Sequence, residues 1–191
     1  MNILQIGCHH GNDEVFKFIE NNKNLIKKII LIDANQKSLE LARSTYKNIE
    51  NVEFFNYAVL PIDIGKTKIN LYLPAEDETS AWTCINSEFV SAHAHHNNLV
   101  SIESPTISLS KLLINHSDTT NLFIDTEGLD VLNLFSVNFD QFPSLKEVTF
   151  EFIHSDGIVR SGNRLNALLM YLARFGFSFS EEGYNIIAIR S

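Results

Sequence analysis

Cysteine, proline and tryptophan are scarce in this chain: two Cys, four Pro and one Trp in 191 residues. Cys8 and Cys84 make neither a disulfide framework nor a zinc-ligand array. No Pro- or Gly-rich stretch reads as a linker that would cut the chain in two, and no internal repeat is visible. Basic residues are also short, 15 Lys and Arg against 23 Asp and Glu, for a formal charge of −8. That balance argues against a protein that coats DNA or RNA, whose affinity rests on neutralising phosphates, and against a cationic membrane-surface protein. Long apolar runs are missing too. The longest, Ala167 to Ala173, is far short of the ~20 residues that span a bilayer. Asn2-Ile3-Leu4-Gln5-Ile6 already reads as a strand and not as a signal pattern, so a cytoplasmic, reducing location is the expectation.

What is present is an ordinary globular composition, 45% hydrophobic and 20% charged. At about 150 residues per domain, residues 1–191 are expected to form one domain. Ile3 to Ile6 and Lys28 to Asp33 read as strands, each followed by a helical pattern. Ile29-Ile30-Leu31-Ile32 is too continuously apolar for a sheet with one wet face. Asn35 is placed to cap the second helix, in which Leu39, Ala42 and Tyr46 recur at helical spacing. Val52 to Val59 reads as a third strand. This alternation indicates a parallel sheet with helices on both faces.

Lys68 to Leu73 reads as a further strand, and residues 74–104 as a long polar excursion of the kind that forms binding loops. Leu122 to Asp125 and Val148 to Ile153 then read as core strands. Leu165, Leu168, Leu169, Leu172 and Phe175 define a helix face closed by Gly176. Phe177 to Ser180 and Ile186 to Ile189 read as a terminal hairpin, so the last strand is expected to enter the sheet antiparallel.

Gly7-Cys8-His9-His10-Gly11 falls between a buried strand and a helix, where this architecture grips nucleotide-type ligands. Asp33, at the C-terminal end of the second strand, is placed to accept hydrogen bonds from a ribose diol. The turn lacks the middle glycine that makes room for a pyrophosphate, which disfavours a nicotinamide-dependent oxidoreductase. Asp125-Thr126-Glu127-Gly128 and Glu151-Phe152-Ile153-His154 stand at the ends of two further strands. If those strands are neighbours, the carboxylates and the imidazole overlook one crevice. Such crowding is costly unless the site handles protons or holds a cation. Asp125, Glu151 and His154 are therefore candidate catalytic residues, with the imidazole a natural general base. Glu127, Ser80 and Trp82 are candidate substrate contacts. The alternative roles are structural: Asp125 or Thr126 as a helix cap, and Glu151 as a partner of Arg160. His93, His95 and His96 read as a solvated loop.

The chain resembles the FkbM-type family of S-adenosylmethionine-dependent methyltransferases. The resemblance is carried by Ile6 to Gly11, Leu31 to Asn35, Asn56 to Val59, Phe123 to Leu132, Glu151 to His154 and Leu172 to Phe177. It implies a Rossmann-like class I methyltransferase fold: a seven-stranded, mostly parallel, doubly wound α/β sheet with an antiparallel last strand. It also implies S-adenosyl-L-methionine as cofactor, held by Gly7, Cys8, His9, Gly11, Asp33, Ala34, Tyr57, Ala58 and Asp125. The implied reaction is O-methylation of a hydroxyl on a glycan, lipid or small natural product. Gln5 departs from the family, many members having an acidic residue there, close to the donor's amino group. The expectation is metal-independent transfer, with Mg²⁺ or Mn²⁺ on Asp125, Glu127, Glu151 and His154 as the runner-up. The alternative to an enzyme is a non-catalytic binding module that keeps the fold.

Overall fold

The computed structural model describes residues 1–62, 64–94, 98–157 and 159–191. The chain runs β1 (Asn2–Ile6), α1 (Glu14–Asn22), β2 (Lys28–Asp33), α2 (Gln36–Thr45), β3 (Val52–Asn56), β4 (Ala58–Leu60) and β5 (Lys68–Pro74). It continues as α3 (Ser87–Ala94), β6 (Leu99–Ser108), α4 (Leu109–Asn115), β7 (Asn121–Ile124), α5 (Asp130–Phe135), β8 (Glu147–Glu151), α6 (Asn163–Ala173), β9 (Phe177–Glu182) and β10 (Asn185–Arg190). Seven strands form one sheet in the order β3-β2-β1-β7-β8-β10-β9. β1, β2, β3, β7 and β8 run parallel, and β10 enters antiparallel between β8 and β9.

Alternation along the strands sorts the core into two layers. Ile3, Ile29 and Leu31 pack under α1 and α2 with Ile19, Leu39, Ala42 and Tyr46. Leu4, Ile6, Ile30, Ile32, Leu122, Ile124, Val148 and Phe150 face α4, α5 and α6. β2 is buried on both faces from Ile29 to Asp33, as its unbroken apolar run requires. Asn35 caps α2 by accepting the Lys37 N–H.

Two sequence expectations change. The strand expected from Val52 to Val59 breaks at Tyr57: β3 stays in the large sheet, while β4 pairs with β6 in a separate sheet ordered β4-β6-β5. The break is pinned where the Asn56 side chain donates to the carbonyls of Asp33 and Ala34, and Tyr57 N–H to that of Asp33. The excursion is also shorter than its expected span, because Leu99–Ser108 is a ten-residue strand antiparallel to β5. Alternation is weak in β6, whose residues are mostly half-buried or exposed, so periodicity gave no signal. The loop therefore leaves from β5 and returns to its own neighbour. His95 and His96 lie outside the described residues.

Candidate active site

The turn after β1 is fixed by backbone. Gly7 and Cys8 N–H both donate to the Ile32 carbonyl, at 2.9 and 3.2 Å, and Asp125 N–H donates to the Ile6 carbonyl at 3.0 Å. Gly7 has φ +78°, and a Cβ there would lie 1.7 Å from the Asp125 carbonyl oxygen. Only glycine permits β1 and the end of β7 to approach this closely. Asp33 ties the turn to β2. One carboxylate oxygen accepts His9 N–H at 2.7 Å and the other Asn35 N–H at 2.8 Å. Burial raises its pKa to about 6, against the lowering by those two N–H groups.

A cavity of about 240 Å³ opens beside this turn. It gathers Gly7, His9, Asp13, Asp33, Ala34, Tyr57, Ala58, Asp125 and Glu127 from five separate stretches of sequence, together with the apolar wall of Val59, Leu60 and Leu71. Its roof is the loop after β5. Cys84 pairs back onto Tyr72 of β5 through two backbone hydrogen bonds of 2.7 and 3.1 Å, which sets Ser80, Thr83, Cys84 and Ile85 over the cavity. The roof is strapped to the opposite rim. The His9 ring donates from Nε2 to the Thr79 carbonyl at 2.6 Å, Asn35 Nδ2 donates to the Glu78 carbonyl at 2.9 Å, and Lys37 pairs with the Glu78 carboxylate.

Three expected contacts fall elsewhere. Cys8 is wholly buried against α1 and α2, where burial pushes its thiol pKa well up. Gly11 packs on the Tyr46 ring, so it shapes the turn without lining the cavity. Trp82 joins the small apolar cluster of Cys84, Phe89 and Val90. The sequence reading missed Asp13, Thr83, Cys84 and Leu129, which do line the cavity. Asp13 carried one legible signal, its place as the N-cap of α1.

Behind the cavity the carboxylates converge. Glu127, Glu151 and His154 bring ligand-type atoms within 4.8 Å of one another. His154 Nε2 lies 3.6 Å from Glu151 Oε2, while Val159 N–H donates to His154 Nδ1 at 3.1 Å. A ring nitrogen that accepts an N–H carries no proton, so the proton of neutral His154 sits on Nε2, toward Glu151. That tautomer turns Nε2–H toward Glu151 at 3.6 Å, beyond hydrogen-bond distance. It also disfavours the metal, which would need the Nε2 lone pair and a protonated Nδ1.

Glu127 is raised to about 9 by burial and then by Asp125, Glu151 and Asp130, and its Oε2 is buried with no partner among the described residues. Glu151 is raised to about 7 by burial and by Asp125. Asp125 is raised by the protein packed around it, then by Asp13 and Asp33, although its side chain is open to solvent in the cleft. Neither Asp125 nor Thr126 caps α5. Asp130 instead reaches back and accepts Thr126 N–H at 2.9 Å. Glu151 meets His154, not Arg160.

No protein-family model and no curated protein sequence matches this chain. Solved structures do. The citrinin polyketide synthase CMeT domain superposes with a TM-score of 0.50 at 11% identity, over 100% of this chain and 46% of that one. A chain of a fibrillarin/Nop5p complex gives 0.50 at 11%, over 100% and 72%. TrmK of M. capricolum, solved with S-adenosyl-homocysteine, gives 0.44 at 12%, over 99% and 60%. The chain thus spans less than two thirds of two of these three. With its strand order and inserted antiparallel β10, the fold is the Rossmann-like class I methyltransferase fold.

Proposed function

We propose that the chain is an S-adenosylmethionine-dependent methyltransferase of the FkbM type, acting on a hydroxyl of a glycan, lipid or small natural product. The observation that carries this reading is the single cavity that joins the Gly7 turn and Asp33 to Asp125 and Glu127. The residues fit the cofactor. An ionised carboxylate has about four acceptor sites, and two backbone N–H groups use only part of Asp33's, which leaves capacity for a ribose diol. Tyr57, Ala58, Val59 and Leu60 offer an apolar wall to a planar base. When bound, S-adenosylmethionine supplies an electrophilic methyl group on a sulfonium.

The chain's own part is alignment and proton removal. Glu151 is the base in this reading, its carboxylate facing the Nε2–H of His154. Glu127, kept protonated by its surroundings, reaches from the cavity toward Glu151 and hydrogen-bonds the acceptor. Thr83, Ile85 and Leu129 offer the acceptor a mixed polar and apolar surface. Transfer is proposed to be metal-independent.

Calorimetry with S-adenosylmethionine and S-adenosylhomocysteine tests the reading. Binding of both, lost in Asp33→Asn, is the expected result. No heat from either at millimolar concentration leaves the non-catalytic module as the better account, a reading in which the strapped roof is a permanent closure.

A further inference from the structure

Past Gly7 the cavity meets a second, larger groove of about 600 Å³ on the α1 face of the sheet. The two share Ile6, Gly7, Asp13 and Asp125. That shared end is already engaged: Gln5 Nε2 donates to Asp13 Oδ2 at 2.6 Å, and Phe16 N–H to Oδ1 at 2.8 Å. The rest of the groove is bare sheet. α1 reaches as far as Phe123 of β7, whose ring meets Phe18 at 5.6 Å, and among the described residues no other helix lines the groove. β10 shows the consequence. Ile186 and Ala188 are buried in the core on the opposite face, while Ile187 is half-buried and Ile189 is 49% exposed. Phe18, Phe123, Ile187 and Ile189 thus make an apolar floor. Glu14, Glu147 and Glu182 stand round it, and no Lys or Arg among the described residues lines the groove.

Size and charge together select the occupant. From β7 across β8 and β10 to the edge strand β9 is three strand spacings, about 14 Å, room for one helix of about 10 Å diameter but not two. Glu147 stands opposite Ile189 and Glu182 opposite Asn185, four residues apart along β10, or about 13 Å. About nine residues of helix cover that length. A second copy is a poor occupant, because a two-fold contact would set one acidic rim against another in a chain of charge −8. We propose that the groove docks a basic amphipathic helix of a partner protein. Its apolar stripe lies on Phe123, Ile187 and Ile189, and Lys or Arg side chains at either end of that stretch meet Glu147 and Glu182. Seated there, it borders the cavity at Asp13 and Asp125. The site needs no methyl donor in the cavity.

Two synthetic helices with the same Leu stripe, one with Lys and one with Glu on the polar face, test it by fluorescence anisotropy. Wild type is expected to bind the Lys peptide at least about tenfold more tightly than the Glu peptide, the gap narrowing at high salt. Ile189→Lys puts a cation on the floor and is expected to weaken the Lys peptide at least about tenfold. Reversing the rim, Glu147→Lys with Glu182→Lys, is expected to erase or invert the preference. The same charge change at exposed acids outside the groove, Glu40→Lys with Glu50→Lys, is expected to leave affinity for the Lys peptide within about twofold. Wild type that binds neither peptide, or both equally, overturns the site. So does a folded Ile189→Lys of unchanged affinity, or a control pair that costs as much as the rim pair. Dimers in sedimentation, or binding to phosphatidylcholine vesicles, that Ile189→Lys abolishes would give the groove another occupant and overturn it as well.

Discussion

Gly7 and Gly65 both have positive φ, +78° and +67°, but only Gly7 has a neighbour where a side chain would go. Gly65→Ala meets nothing within 4 Å and should cost about 1 kcal/mol, the left-handed backbone penalty alone. Gly7→Ala must also push back the Asp125 carbonyl, and about 3 kcal/mol or more is expected. Urea denaturation of the two variants measures the difference. Comparable losses would mean that β1 and β7 can part without cost. At the proton-handling residues, Glu151→Gln should lower methyl transfer to a hydroxyl acceptor about 100-fold, the lower end of a general base's contribution. With Glu151 raised to about 7, the wild-type rate should climb through that pH as the carboxyl loses its proton. In the variant that limb should vanish, and excess chelator should leave the wild-type rate unchanged. A chelated enzyme revived by Mg²⁺ or Mn²⁺ would put a metal in place of the base.

At the scale of elements, the loop after β5 matters because it belongs to two structures at once. Its far end pairs with β5 at Cys84, and its near end is strapped to the rim of the large sheet by His9, Asn35 and Lys37. Asn35 serves both sides, capping α2 with Oδ1 and holding the Glu78 carbonyl with Nδ2. Serine caps a helix about as well but is too short to reach Glu78. Asn35→Ser is therefore expected to change global stability by less than about 1 kcal/mol. Amide exchange across 76–82 should nevertheless quicken, since strap opening becomes easier than unfolding. Unaltered exchange there would show that His9 and Lys37 hold the roof without Asn35.

For the molecule as a whole, the acid cluster sets the pH dependence of stability. Asp33, Glu151 and Glu127 stand at about 6, 7 and 9 in the folded chain, all above their ordinary values of 3.8 to 4.5. Between the unfolded and folded values the native state binds more protons, so unfolding free energy falls as pH rises. The contribution is intact below about pH 4 and is lost progressively on the way to about pH 9. Tm of the ligand-free chain should accordingly drop from pH 5 to pH 9, and Glu127→Gln should flatten the upper part of that fall. A Tm that climbs across the window would show that the carboxyls are solvated in the native state. The acidic composition acts in the same direction, since net charge grows with pH and self-repulsion with it.

Local pattern determined much of this protein. The unbroken apolar run of β2, the Asn35 cap, the Gly7 turn and the helix face ending at Gly176 each follow from residues close in sequence, because helix and strand periods and turn chemistry are local. The antiparallel last strand was legible for the same reason, its hairpin being local, whereas the adjacency of β7 and β8 entered only as a condition that the sheet order met. Partners distant in the chain were not legible. The break at Tyr57 depends on Asn56 reaching the carbonyls of Asp33 and Ala34, and β6 exists because β5 supplies its hydrogen bonds. His154 read as a base from its residue type and place, whereas its tautomer depends on the Val159 N–H at Nδ1. Asp13 drew no reading from the sequence, and its place between two cavities, hydrogen-bonded by Gln5 from within the sheet, comes from folding. Residue type and spacing set which chemistry is available, but proton position and ligand contact depend on groups a few ångströms apart, and only folding brings those groups together.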